Sequence, residues 1–163
     1  MKISTKGRYA TRALLDLALC TELRQRPCSI KDISEKESIS GLYLTQIFAK
    51  LKAAGLIRSV RGSQGGFFLR KDPADIRIID ILTSVEGNTS LADCIDDPGL
   101  CEKSPECVTR ILWHKAQRAM EGVLESTTLA DLLQRRIDII NNHRKISGIE
   151  PHYPLNTKDA TSR

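Results

Sequence analysis

A chain of 163 residues with 40% hydrophobic side chains can bury one compact core, or a small domain joined to an oligomerisation element. Its first residues, MKISTKGRYA, are too charged for a secretory signal peptide, and no apolar run approaches the ~20 residues that a membrane-spanning helix needs. These features argue against secreted and membrane-spanning classes, so we expect a cytoplasmic protein without a membrane partner.

Charge is distributed unevenly along the chain. Residues 1–71 contain 14 Lys and Arg but only 5 Asp and Glu, a net charge of +9, whereas residues 72–163 have a net charge of −4. A basic half joined to an acidic half indicates that the first half binds a polyanion such as nucleic acid. Charge alone leaves a merely solvated basic surface as the alternative.

Two helices are predicted near the start of the chain. Apolar and small residues recur with helical spacing over residues 8–24, and Pro27 ends that helix. A short second helix follows, for which Ser29 is the predicted N-cap and Asp32 completes a capping box.

A third helix and a hairpin come next. Ser40 can cap the third helix, Gly55 can stop it, and its buried stripe is Leu44, Ile47, Phe48 and Leu51. The periodicity then changes to two short β-prone segments, LIRSV and FFLR, separated by the glycine-rich turn RGSQGG. Helix, short helix, helix and hairpin is the order of a winged helix-turn-helix, so we predict a mainly α fold with a DNA-binding domain at residues 1–87.

The second half of the chain is predicted to be helical around an irregular segment. DPADIRIIDILTSVEG predicts a fourth helix that ends near Gly87, and residues 88–107 are expected to form a cysteine-containing loop. A long helix is predicted from Ser104, with Pro105 at its first position. Its apolar stripe consists of Val108, Ile111, Leu112, Ala116, Ala119, Met120, Val123 and Leu124.

That long apolar stripe must be buried somewhere, and a second copy of the chain is the best candidate. We therefore predict a homodimer that pairs through a helical region at residues 104–145. Thr128 can cap a last helix within this region, and residues 146–163 are predicted to form a flexible tail.

The residue types on the third helix and the hairpin tip suit contacts with DNA. In a helix-turn-helix, the exposed residues of the second helix reach base edges in the major groove. Gln46 suits an adenine edge, Thr45 suits a thymine methyl or hydrogen bonds to several bases, and Arg61 on a thin wing suits the minor groove. The predicted DNA-binding residues are Ser40, Tyr43, Thr45, Gln46, Lys50, Arg61, Ser63 and Gln64.

The segment CIDDPGLCEKSPEC places Cys94, Cys101 and Cys107 in one acidic, loop-like stretch. In a reducing cytosol, clustered cysteines are more often metal ligands or redox centres than disulfides. Their spacing is too wide for the usual structural zinc site and one ligand short of it. An iron–sulfur cluster also binds thiolates and, being larger than a single ion, accepts wider loops. Three unlinked thiols remain the alternative.

The individual cysteines have different predicted environments. Cys107 falls in the first turn of the helix predicted from Ser104, where the helix dipole favours its thiolate. Cys20 is expected to be a buried small hydrophobe on the first helix, and Cys28 shows no partner in the sequence.

Three stretches of the chain resemble the IscR-type regulators of the Rrf2 family: MKISTKGRYATRALLDLAL, DISEKESISGLYLTQIFAKLKAAGLIRSVRGSQGGFFL, and the cysteine segment running into CVTRILW. The VRGxxGGF wing together with three cysteines makes the resemblance specific. It implies a dimeric winged-helix transcription factor whose iron–sulfur cluster controls DNA recognition. By the same resemblance, the ligands of a 2Fe–2S or 4Fe–4S cluster are Cys94, Cys101 and Cys107. Arg61 is then the wing arginine, and Thr45 and Gln46 read bases.

The chain departs from that family pattern at the fourth cluster ligand. IscR-type proteins with a 2Fe–2S cluster have a histidine three residues after the third cysteine, where this chain has Arg110. Related sensors use an acidic residue of the partner at the position of Arg8. His114 lies seven residues after Cys107, a rise of ~10 Å along one helix. That is too far for one small cluster, unless the helix begins later or the ligand comes from the other subunit. An Asp or Glu of the loop, a water or a small thiol remains open as the fourth ligand.

These observations predict a regulator that senses iron–sulfur, iron or redox status and binds a pseudo-palindromic double-stranded operator, with half-sites about one helical turn apart. Gain or loss of the cluster would change how the two recognition helices are presented. A thiol switch or a zinc site could replace the cluster, and a non-DNA adaptor that docks through the basic face is the rival from another class. The sequence contains neither a nucleophile–base pair nor a phosphate-binding loop, so we do not expect an enzyme.

Overall fold

The structure of the protein, a computed structural model, describes residues 3–24, 26–62, 65–87 and 90–147. Its elements are α1 (Thr5–Arg24), α2 (Ile30–Glu37), α3 (Gly41–Ala53), β1 (Ile57–Val60), β2 (Gly66–Leu69), α4 (Ile78–Glu86), α5 (Asp93–Asp96), α6 (Val108–Ser126) and α7 (Leu129–Ser147). The predicted mainly α, winged helix-turn-helix fold is confirmed, because α2, α3 and the β1–β2 hairpin follow α1 in the expected order. Of the predicted tail, residues 148–163 lie outside the described part of the chain.

α1 is central to the core, since α3, α4, α7 and β2 all pack against it. The stripe predicted for α3 is fully buried, with Leu44, Ile47, Phe48 and Leu51 each at most 1% exposed. Burying a side chain of this size contributes about 1.5–3 kcal/mol, so the apolar stripe fixes which face of α3 points to solvent.

The turn between α2 and α3 is held by local hydrogen bonds. The predicted capping box is confirmed: Ser29 Oγ accepts the Asp32 N–H at 3.1 Å, and the Ser29 N–H donates to Asp32 Oδ2 at 3.3 Å. At the other end of α2, Ser38 has a left-handed backbone (φ 53°), and Ser34 Oγ donates to the Ile39 carbonyl at 2.6 Å. These contacts orient α3 relative to α2.

The hairpin is attached to the core through Cys28, which precedes the N-cap of α2. The Cys28 N–H donates to the Phe67 carbonyl at 3.0 Å, and the Phe67 N–H donates to the Cys28 carbonyl at 2.9 Å. A Cβ added at Gly66 would lie 2.7 Å from the Cys28 oxygen, so this close approach requires glycine.

The prediction that Cys28 has no partner is wrong. Besides its backbone bridge, its side chain is hydrogen-bonded to Cys20, and this bond together with burial raises the pKa of the Cys28 thiol. Cys20 is buried, as predicted. The Cys28 thiol is therefore neutral at physiological pH, and both cysteines are packing groups of the core.

The fourth helix predicted from DPADIRIIDILTSVEG is divided in two. A 3-10 turn at Pro73–Asp75 is followed by extended backbone before α4. There the Ile78 N–H donates to the Thr127 carbonyl at 2.9 Å, and the Leu129 N–H donates to the Ile76 carbonyl at 2.8 Å. The segment that connects α6 to α7 therefore forms hydrogen bonds with backbone groups that a continuous helix would have bonded within itself.

The long helix begins later than predicted. Ser104–Glu106 form a separate 3-10 turn, Cys107 is extended (φ −80°, ψ 98°), and α6 begins at Val108. The Cys107 carbonyl accepts the Arg110 N–H at 3.2 Å, which makes Cys107 the N-cap of α6 rather than a residue of its first turn.

α6 and α7 differ in burial within the single chain. No residue of α6 is buried, and its exposed large apolar side chains are Val108, Ile111, Leu112, Trp113 and Val123. α7 buries Leu129 and Leu133 and is capped as predicted by Thr128, whose Oγ1 accepts the Asp131 N–H at 3.2 Å. Within the described ranges, no helix is long and apolar enough to cross a membrane.

A buried carboxyl in α1 should make stability depend on pH. Asp16 is 4% exposed and pairs with Lys36 of α2. Burial raises the pKa of Asp16 to about 6, and the neighbouring Glu37 carboxylate adds to the rise, although Lys36 opposes it. Because the folded pKa exceeds the unfolded value, this group's stabilising contribution is complete below pH ~4 and is lost as the pH rises through 6. We expect the contribution of Asp16 to the free energy of unfolding to be on the order of 1 kcal/mol larger at pH 5 than at pH 7.5.

Urea titrations at the two pH values measure this difference. Asp16→Asn should remove it, whereas Asp75→Asn, the same chemical change at an exposed carboxylate, should preserve it. An Asp16→Asn protein with the wild-type pH dependence would contradict the assignment.

Candidate nucleic-acid interface and cysteine segment

α3, the second helix of the helix-turn-helix, presents one uncharged face to solvent. Leu42 is 75% exposed, and Thr45, Gln46 and Ala49 are exposed on the same side of the helix. This face lies opposite the buried stripe, so it is the face that could enter a DNA groove.

The two residues predicted to read bases, Thr45 and Gln46, differ in the hydrogen bonding and exposure of their side chains. Thr45 Oγ1 donates to the Gly41 carbonyl at 2.9 Å, so its hydroxyl is already bonded within α3. Gln46 is exposed, and its amide provides both a donor and an acceptor.

Of three other predicted DNA-binding residues, two make side-chain contacts within the domain. Ser40 occupies the N-cap position of α3, but its side chain makes no capping hydrogen bond. The Tyr43 ring is half-buried and packs edge-on against Tyr9, with the ring centroids 6.0 Å apart. Lys50 Nζ donates to the Val85 carbonyl at 2.9 Å, near the C-terminal end of α4. These contacts stabilise the domain, and a DNA-binding role for the three residues stays a prediction.

The wing places one predicted residue in solvent. Arg61 directly follows β1 and is exposed. Ser63 and Gln64, also predicted to bind DNA, lie outside the described residues. Arg61 is therefore the cation of the wing tip on which an experiment can be designed.

The three clustered cysteines lie in one irregular segment but are not brought together. Cys94 is in α5 and is half-buried, Cys101 is exposed, and Cys107 is half-buried at the start of α6. In the parts of the chain that the structure describes, no group of three or more His, Cys, Asp or Glu is placed to hold a metal ion. Joint ligation by these residues stays a prediction.

The hydrogen bonds around Cys107 favour its thiolate form. Thr109 Oγ1 lies 3.1 Å from Cys107 Sγ. A hydrogen bond from the Thr109 hydroxyl lowers the pKa of Cys107, and the Arg110 backbone N–H lowers it further. The thiolate is the form that binds metals, so the donor chemistry of the segment fits a thiolate-ligated centre.

Comparison with known proteins identifies the family. A family model for Rrf2, an iron-dependent transcriptional regulator, matches residues 3–135. The chain belongs to the Rrf2 family. The transcriptional regulator IscR of Cronobacter sakazakii is 35% identical over 162 residues, which cover 98% of this chain and 96% of that protein.

Solved structures agree with this assignment. T. potens IscR is 38% identical, covers 83% of this chain and 88% of its own, and superposes with a TM-score of 0.68. CymR, the global cysteine regulator of B. subtilis, is 36% identical, covers 83% of this chain and 98% of its own, and has a TM-score of 0.70. These proteins are transcriptional regulators rather than enzymes, and this Rrf2-family chain is a DNA-binding regulator of the same kind.

Two features of this Rrf2 regulator were not predicted from its sequence. Leu42 is exposed at the start of α3, although a leucine in an amphipathic helix is usually assigned to the core. Arg110, which the sequence marks only as a missing ligand, donates from Nε to the Cys94 carbonyl at 2.9 Å. That bond joins the cysteine segment to α6 across 16 residues of chain, and no local pattern indicates it.

Proposed function

We propose that this Rrf2 regulator is a homodimer that binds a pseudo-palindromic double-stranded operator and responds to iron–sulfur or redox status through Cys94, Cys101 and Cys107. The observation that carries the proposal is the uncharged, solvent-facing side of α3 in a winged helix-turn-helix whose chain half has a net charge of +9. Basic surroundings attract the phosphates, and the exposed face is left to read bases.

Each part of the DNA-binding domain has a distinct role in this proposal. α3 enters the major groove, where the Gln46 amide can pair with an adenine edge. Arg61 extends from the wing into the adjacent minor groove, whose negative potential favours a guanidinium. The buried stripe and the α2 capping box hold α3 in position and contact no DNA.

The exposed side chains of α6 support the homodimer. Ile111 is 61% exposed, Leu112 is 56% exposed and Val123 is 64% exposed in the single chain. Pairing two copies of α6 would remove these side chains from water on both subunits. A twofold dimer would then place two α3 helices on half-sites about one helical turn apart.

The cysteine segment is the proposed sensor. Cys94, Cys101 and Cys107 would hold an iron–sulfur cluster, which when bound supplies a centre that is sensitive to iron supply and oxidation. Thr109 stabilises the Cys107 thiolate, and Arg110 ties the Cys94 backbone to α6. The sensor segment is thus attached directly to the proposed dimer helix.

A thiol switch is the second candidate, because the described structure does not gather the three thiols. The solved structures that resemble this chain also include the oxidized form of Staphylococcus aureus CymR, which is 38% identical with a TM-score of 0.67. Iron and acid-labile sulfide in anaerobically purified protein would support the cluster. Colourless protein whose free-thiol count changes with oxidant would support the switch.

Arg61→Ala tests the DNA-binding part of the proposal. Removing a minor-groove guanidinium should weaken operator binding on the order of tenfold, with little change in thermal stability because Arg61 is exposed. Gel shifts on the protein's own upstream region, repeated over a salt series, measure the effect.

Arg136→Ala is the matched control, because it removes one exposed guanidinium from α7 rather than from the wing. It should leave operator affinity close to that of the wild type. Absent or salt-insensitive wild-type binding would contradict DNA recognition.

A further inference from the structure

The DNA-facing side of α3 contains an unusually exposed aliphatic residue. Leu42 is the second residue of the helix and is 75% exposed. A single exposed leucine is common on protein surfaces and needs no special explanation by itself. Leu42 lies, however, on the face proposed to enter the major groove, and its neighbours on that face indicate a contact with bases.

Thr45 adds a methyl group to the same face. Its Oγ1 donates to the Gly41 carbonyl at 2.9 Å, so the hydroxyl is bonded within the helix and the methyl group remains available for contact. Ala49, one turn further along, is also exposed and aliphatic. Gln46 is the neighbouring amide on this face.

This composition matches one particular feature of the major groove. Thymine presents a C5-methyl group there, and apolar groups such as alanine or a threonine methyl contact it favourably. The face formed by Leu42, Thr45, Gln46 and Ala49 has no charge, while the half of the chain that contains it has a net charge of +9. Phosphate attraction therefore supplies affinity from outside this face, and the face itself discriminates bases.

We propose that α3 reads thymine methyl groups and that Leu42 is a specificity-determining residue for this contact. The inference deepens the proposed DNA-binding function and rests on it. In each half-site, Leu42 packs against a thymine methyl, the Thr45 methyl extends that contact, and Gln46 reads an adjacent adenine.

Deoxyuridine substitution isolates the methyl group, because uracil keeps every hydrogen-bonding group of thymine and lacks only the C5-methyl. The operator is first selected from random duplexes with the full-length protein, and each thymine is then replaced singly by deoxyuridine. Loss of one buried methyl contact should weaken wild-type binding about fourfold at the contacted position. Leu42→Ala should reduce this difference between the thymine and uracil forms, because the shorter side chain contacts less of the methyl group while the Thr45 methyl remains.

Two further variants keep the test specific. Leu42→Met retains apolar contact area and should retain discrimination between thymine and uracil, whereas Thr45→Ser keeps the hydroxyl but removes the methyl and should reduce it. Because Leu42 is exposed, its variants should melt at the wild-type temperature.

The outcomes separate the two levels of the proposal. Equal wild-type affinity for the thymine and uracil forms at every position would overturn methyl reading while leaving operator binding in place. Leu42→Ala that retains the wild-type thymine preference would likewise overturn the role of Leu42. Failure to select any sequence would overturn the DNA-binding proposal together with this inference.

Discussion

Cys101→Ala is expected to eliminate iron and acid-labile sulfide from protein purified without air, while the fold stays intact. Cys101 lies between the other two cysteines of the segment, and removing one of three proposed thiolate ligands leaves too few donors to retain a cluster. Its side chain is exposed, so the substitution creates no cavity in the core. Iron and sulfide analysis, visible absorption and thermal melting measure the two halves of this expectation.

Cys20→Ala provides the opposite result and serves as the matched control. Cys20 is 1% exposed within the core and is hydrogen-bonded to Cys28, so its loss should lower thermal stability while iron and sulfide are retained. Full iron and sulfide in the Cys101 variant would remove Cys101 from the proposed ligand set. Wild-type protein without either component would favour the thiol switch instead.

Leu112→Glu is expected to convert the proposed dimer to monomers and to reduce operator affinity more than any single DNA-contact variant. Leu112 is 56% exposed in the single chain, so the monomer should fold, but a dimer would bury an uncompensated carboxylate in each subunit. A penalty of several kcal/mol corresponds to a loss of dimer affinity on the order of 100-fold or more. Two independent monomers also lose the advantage of joined half-sites.

Analytical ultracentrifugation and gel shifts measure the two consequences. His114→Glu is the control, because His114 is exposed on α6 but lies two residues from Leu112 and therefore on another side of the helix. It should leave the dimer intact. A Leu112→Glu protein that stays dimeric would show that subunits pair through a different surface.

Local sequence patterns were sufficient to predict most of the secondary structure of the DNA-binding domain. The Ser29–Asp32 capping box and the Thr128 cap involve partners three residues apart, so their hydrogen bonds follow from the helix start itself. The buried stripe of α3 follows from helical periodicity, and Gly55 (φ +72°) has the backbone conformation expected just after a helix end.

The candidate site was predictable in its residue types but only partly in their roles. Gln46 and Arg61 are exposed where the helix and wing patterns predict, because solvent exposure follows from the opposite, buried face. Lys50 suits a phosphate by its charge alone. Its bond to Val85 joins residues 35 positions apart, which no local window contains.

The sequence by itself therefore determined the helical periods, the caps, the order of a winged helix-turn-helix and the cysteine spacing, since each depends on residues within a few positions of one another. The tertiary structure decided where long-range backbone and side-chain partners lie. It divided the fourth helix by pairing Arg77 with Thr128, and it joined Arg110 to Cys94. These features depend on segments that meet only when the core packs. Backbone and charged groups without a local partner then form hydrogen bonds with groups that are distant in sequence but close in the folded chain.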